Sequence, residues 1–188
     1  MSRFALVASS LTLTAVLAAC SGMPSMPMAR MAAPYSQDML PDPVKVPAGH
    51  RVAWETVGVG EITYECRAKA GSTDVFEWVF VGPKAELKGR GGETLGRYFG
   101  PPATWAASDG SSVTGAQVAV APAMAGSIPL QLVKANPAMG SGALTGVSYI
   151  QRVATRGGVA PAMPCAAGST GKREIVQYQA DYIFWKPV

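Results

Sequence analysis

The chain has 188 residues, with 16 Lys and Arg against 12 Asp and Glu, one His and three Cys. Charged residues make up 15%, well under the roughly 25% of an ordinary globular domain, while hydrophobic residues reach 48%. These figures exclude a coiled coil, which needs abundant Glu and Lys at heptad spacing, and a typical disordered chain, which lacks the apolar content to bury a core. Three cysteines and one histidine leave little for a protein-built zinc site, and no run of Lys or Arg forms a nucleic-acid footprint. Nothing here names a reaction, a cofactor or a metal.

Residues 1–19 read as an export signal. Arg3 gives a short positive start, Phe4 to Val16 is apolar apart from Ser and Thr, and small residues precede Cys20. The stretch is too short for a comfortable membrane span. Leu17-Ala18-Ala19-Cys20 resembles the bacterial lipobox, which implies cleavage before Cys20 and diacylation of its thiol. Two or three acyl chains make a stable membrane anchor. The expected address is the cell envelope, and Ser21 after the cysteine favours the outer membrane if the source is Gram-negative. Processing leaves 169 residues and, with Arg3 gone, a net charge of +3.

Residues 20–44 read as the lipidated cysteine and an extended tether, because dense proline blocks helices and ladders. Met23, Met26, Met28 and Met31 cluster there, and soft thioethers select Cu(I). A copper-handling tail is therefore one alternative reading.

From residue 45 to 188 the expectation is one all-β domain, an antiparallel sandwich or barrel with long Gly/Pro-rich loops. Ile62, Tyr64 and Cys66 share one strand face. Val75 to Val81 suits a strand buried on both faces. Pro83 to Lys88 is the one helical window, and it is short. The glycine-rich run from Gly89 to Gly96 reads as a mobile loop. Val113 to Val120, Ile128 to Ala135 and Val147 to Thr155 continue the strand series, and Val176, Tyr178, Ala180, Tyr182 and Phe184 line one face of the last strand.

With Cys20 given to lipid, Cys66 and Cys165 remain, and an oxidising compartment permits their bond. Closing that 99-residue separation is worth roughly 4–5 kcal/mol in the chain-entropy model.

The domain also resembles the uncharacterised secreted-protein family known as domain of unknown function 3455. The resemblance rests on Tyr64-Glu65-Cys66-Arg67, Phe76-Glu77-Trp78-Val79-Phe80, Gly100-Pro101, Thr104-Trp105 and Asp109-Gly110-Ser111-Ser112-Val113. Ile128-Pro129, Gly157-Gly158-Val159-Ala160-Pro161, Cys165 and Ala180-Asp181-Tyr182 complete it. It implies a β-rich secreted domain with Cys66 paired to Cys165, and no activity. The sequence departs from the family pattern where Arg97-Tyr98-Phe99 replaces a common His-Tyr pair and Leu130-Gln131 replaces Trp-Leu.

Candidate chemistry is sparse. His50 lies in an entry segment and is expected at the surface. Glu65, Glu77, Asp109 and Asp181 supply carboxylates for glycosidase-type work, which needs two at defined separation; a glycan-active enzyme is the second alternative. Trp54, Trp78, Trp105 and Trp185 with Arg97 and Tyr98 suit a stacking platform for a glycan or small ligand. The leading candidates for ligand binding are Arg97, Tyr98, Trp105 and Asp109, then Arg152 and Arg156 beside the Gly157-Gly158 turn. The favoured function is non-enzymatic binding of an envelope component, small ligand or protein by a domain held to the membrane through Cys20.

Overall fold

In a β-strand, successive side chains point to opposite sides, so one face of each strand can be buried against the others. The computed structural model describes residues 34–188, and in it eight strands use this alternation to close on themselves. They are β1 (His50–Ala68), β2 (Phe76–Lys88), β3 (Thr94–Phe99), β4 (Thr104–Ala107), β5 (Ser112–Ala121), β6 (Leu130–Ala135), β7 (Tyr149–Gly157) and β8 (Arg173–Pro187). Each pairs antiparallel with the next, and β1 pairs with β8. The result is an up-and-down barrel, the closed form of the expected all-β class, and closure leaves no free sheet edge.

Eight strands enclose a space that side chains just fill. The interior holds Tyr64, Leu87, Tyr98, Trp105, Val133, Ile150, Tyr182 and Phe184, all buried. The face that Val176, Tyr178, Ala180, Tyr182 and Phe184 form is thus the inward one. Tyr182 lies flat across β1 at Gly58, where a Cβ would come within 2.5 Å of its ring; only glycine leaves that space. Loop 136–148 plugs one pole with Leu144 and Val147. At the other pole, the disulfide Cys66–Cys165 ties the end of β1 to the β7–β8 connection, with Cα atoms 5.5 Å apart.

A second, smaller core lies outside the barrel. Leu130, Leu132, Val153, Ile183 and Trp185 face outward from β6, β7 and β8. The segment Tyr35–Val46 covers them with Tyr35, Leu40, Val44 and Val46. Gln151, fully buried, organises this contact. Its amide donates to Val44 O at 2.7 Å and to Gln37 Oε1 at 3.0 Å, while its Oε1 accepts from Trp185 Nε1 at 2.8 Å and from Tyr35 OH. Every polar valence of the amide is used, the condition for burying it without penalty.

Several expectations change. The folded unit begins at Tyr35, so the stretch 35–44 assigned to the tether packs as a strap instead, because Leu40 and Val44 have an apolar wall to cover. Residues 20–33, with Cys20, Met23, Met26, Met28 and Met31, lie outside the described residues, as does the signal. Pro83 to Lys88 is the second half of β2 and not a helix, since its alternation of Lys84 and Glu86 against Ala85 and Leu87 matches the sheet period. The loop after Gly89 closes by Glu93, and Gly96 belongs to β3. The run from Val75 to Val81 is not buried on both faces: Val75 and Phe80 are half exposed, because this end of β2 runs past the barrel body.

Candidate functional site

The alternation that builds the barrel also separates the candidate residues. Arg97 and Tyr98 are neighbours on β3 and therefore point to opposite sides of the wall. Tyr98 and Trp105 pair across β3 and β4 and face inward, with ring centroids 4.7 Å apart and nearly parallel. Tyr182 meets Tyr98 at 5.0 Å and Trp105 edge-on at 5.9 Å. Trp105 is only 1% exposed, so these two candidates are core side chains and form no surface platform. The other tryptophans are dispersed. Trp54 packs on Phe184, Trp185 lies beneath the strap, and Trp78 donates to Met163 O at the disulfide pole.

Asp109 is a turn residue. One carboxylate oxygen accepts from Ser111 Oγ at 2.6 Å and Ser111 N at 2.9 Å, and the other accepts from Ala143 N. These bonds, the Ser111 hydroxyl first, hold its carboxyl below the usual range. Its work is to clamp the plugging loop 136–148 onto the β4–β5 turn.

Arg97 faces outward and borders a trough of about 580 Å3 along the outer wall of β1, β2 and β3. Glu61, Lys84, Glu86, Arg97 and the exposed side chains of Val59 and Phe99 line it. Gly60 and Gly96 take the inward positions between these side chains, where a Cβ would meet the backbone of β2 and of β4. A second hollow of about 510 Å3 shares Thr94, Gly96 and Arg97 and runs along β4 to Ser108. Arg97 thus stands between two concavities. Glu86 pairs with Lys88, whose ammonium holds its carboxyl below the usual range. Among the described residues, Glu61, Lys84 and Arg97 make no ion pair. The trough therefore offers both signs of charge, an aromatic ring and an aliphatic side chain in one concave strip.

The remaining candidates lie elsewhere. Arg152 faces the barrel interior near the disulfide pole, and Arg156 sits beyond a bulge on the same strand. His50 is half-buried, its Nδ1 near Pro47 O and its ring edge-on to Tyr149 at 5.0 Å. Glu65 is gripped by Arg67 and Arg173, each at 2.7 Å, which holds its carboxyl at about 2. Glu77 is exposed. Asp181 faces outward near Glu55, itself paired with Arg90; burial raises the Asp181 carboxyl. Burial, with the Asp181 and Glu55 charges, also pushes the Tyr35 hydroxyl up to about 12. The crevice lined by Glu55, Arg90 and Asp181 has a volume of about 10 Å3, room for about one water, and admits no sugar ring. Among the described residues, no three His, Cys, Asp or Glu side chains gather as a metal site would require.

Sequence reading missed Glu61, Lys84, Glu86 and Phe99. The signal was the alternation V-G-E, K-A-E and R-Y-F in three consecutive strands, with a small or inward residue between two outward ones. No curated protein and no solved structure matches the chain. A family model described as "Protein of unknown function (DUF3455)" matches residues 47–186, which takes in all eight strands but the last residue of β8 and leaves out the strap. That span is most of the sequence, and the chain belongs to the DUF3455 family of proteins of unknown function.

Proposed function

We propose that this chain is a lipid-anchored, extracytoplasmic binding domain that holds an envelope glycan in the outer-wall trough beside Arg97. The observation that carries the reading is the trough itself. Its volume of about 580 Å3 falls in the range of roughly 300–1,000 Å3 typical of ligand sites. It combines Phe99, 42% exposed, with charged side chains of both signs. A ring for stacking and flanking donors and acceptors suit a sugar chain lying along the wall. The anchor follows from the Leu17-Ala18-Ala19-Cys20 signal. A barrel that itself spans a bilayer carries an apolar outer band and a polar lumen. Here Glu61, Lys84, Glu86 and Arg97 face out while Leu87, Ile150 and Phe184 face in, which favours an anchored domain over a spanning one.

Two experiments test the two halves. In producing bacteria, palmitate labelling should mark the chain and fractionation should find it with membranes; Cys20→Ser should abolish both. Membrane retention of unlabelled Cys20→Ser protein would refute the anchor. For the trough, calorimetric titration of the mature chain bearing Cys20→Ser with soluble peptidoglycan fragments should give saturable heat. The pair Arg97→Ala and Phe99→Ser should remove it without lowering the melting temperature. Unchanged binding in that variant would refute the assignment.

A further inference from the structure

One guanidinium on the barrel's inner face stands without a counter-charge among the described residues. Arg152 is in register with Tyr182 on β8 and Gln131 on β6, two residues along from inward-facing Ile150. Its Nε and Nη2 both donate to Pro129 O, at 3.2 and 2.9 Å, which fixes the fork at the rim of the disulfide pole. Its remaining N–H groups have no acceptor among the described residues. Its cross-strand partner Tyr182 in turn meets the Tyr98 ring at 5.0 Å and the Tyr178 hydroxyl at 3.2 Å.

A donor count shows what is missing. Tyr64 OH is satisfied by Gly158 O at 2.8 Å. The hydroxyls of Tyr178 and Tyr182 lie 3.2 Å apart, so one proton bridges them and the other is left over. Trp105 Nε1–H is buried in contact with Tyr98 and Tyr182 and has no acceptor among the described residues. Buried donors ordinarily find partners. The nearby carboxylates cannot help. Asp181 adjoins Tyr182 in sequence and so faces the outer wall, and Glu174, at the rim, pairs with Lys172 at 2.7 Å. The strand is also distorted here: Ala154, between Arg152 and Arg156, has a φ of 48°, in a bulge that lets Thr155 donate to Ile128 O. Non-glycine residues rarely adopt that region, and bulges commonly re-aim side chains beside sites.

We infer that this pole binds a phosphate group, with Arg152 as its charged anchor and the hydroxyls of Tyr98 and the Tyr178–Tyr182 pair as donors. A phosphate supplies the negative charge and acceptor oxygens that the set lacks, and a guanidinium fork matches it in shape. The group is either free phosphate or a lipid head group, and both present the same oxygens. This site lies on the inner face and does not depend on the trough reading.

The test uses the mature chain bearing Cys20→Ser and follows the 15N signals of Arg152 Nε and Trp105 Nε1, the latter identified by its loss in Trp105→Phe. Inorganic phosphate should move both signals saturably. Arg152→Lys, which keeps the charge and loses the fork, should weaken binding at least about tenfold, and Tyr98→Phe by about the same factor. Arg97→Ala should leave it unchanged. Sedimentation with phosphatidylglycerol or phosphatidylcholine vesicles separates the sources. Vesicle binding lost in Arg152→Lys, with no response to free phosphate, assigns the head group; response to free phosphate alone assigns the small anion. Absence of both, or an equal response in Arg152→Lys, overturns the site.

Discussion

The two halves of the barrel's outer wall differ in what covers them. On the β6–β8 side, the outward residues Leu130, Leu132, Val153, Ile183 and Trp185 are apolar, and the strap Tyr35–Val46 lies over them. On the β1–β3 side, the outward positions are Val59, Glu61, Lys84, Glu86, Arg97 and Phe99, and no part of the described chain lies over the trough they line. The same alternation produced both walls. Burial of apolar area at about 25 cal/mol per Å2 drives the first to recruit its own chain. The second keeps polar groups in water and stays concave. A covered wall is a stability device, and an open concave one is available for a ligand.

Perturbing the covered wall should have the largest effect. Deleting residues 35–46 exposes five apolar side chains and removes every partner of Gln151 but Trp185, and we expect a loss of about 5 kcal/mol in urea denaturation. A loss under about 1 kcal/mol would mean that the strap is dispensable. Gln151→Leu keeps the strap but orphans Trp185 Nε1 and Val44 O, and should cost about 3 kcal/mol by the same measurement. At the outward carboxylates of β1 and β8 the effects are smaller and depend on pH. Glu65 titrates at about 2 in the folded chain against 4.5 ordinarily, so its stabilising contribution is complete above pH 4.5 and fades as pH falls towards 2. Glu65→Gln should therefore melt below wild type at neutral pH and converge with it near pH 2; a gap independent of pH would contradict this. Asp181 has the opposite sign, its carboxyl being raised in the folded chain. Asp181→Asn should match wild type in strong acid, gain on it as pH rises from the ordinary value of 3.8 to the raised folded value, and keep that lead above it in the same melting measurement. The smallest effect belongs to Arg97→Ala, within about 0.5 kcal/mol of wild type, because the side chain is exposed and pairs with no carboxylate.

The barrel's inner face was legible because its residues repeat at period two without interruption, as in Val176 to Phe184 and in Ile62, Tyr64 and Cys66. The disulfide was legible from a cysteine count. What escaped were strands whose inward positions are small. Gly58 and Gly60 on β1 and Gly96 on β3 break the hydrophobic pattern, since the space there belongs to the Tyr182 ring at Gly58 and to the backbone of the next strand at Gly60 and Gly96. The strap escaped because its prolines mimic a linker, while the wall it covers lies more than 80 residues later in the chain. The aromatic candidates Tyr98 and Trp105 misled for a related reason: their type suits both a core and a binding surface, and only the register of β3 with β4 distinguishes these uses. Arg97 and Arg152 were singled out as cations, but that they occupy opposite sides of one wall follows from barrel closure.

The central claim is that the open wall, not the covered one, is where this protein meets its ligand. Amide-resolved NMR of the mature chain bearing Cys20→Ser, titrated with soluble peptidoglycan fragments, tests it most directly. Saturable shifts should concentrate at Val59, Glu61, Lys84, Arg97 and Phe99, with Val44, Gln151 and Ile183 unmoved. Shifts centred on the strap, or no saturable shift anywhere, would contradict it.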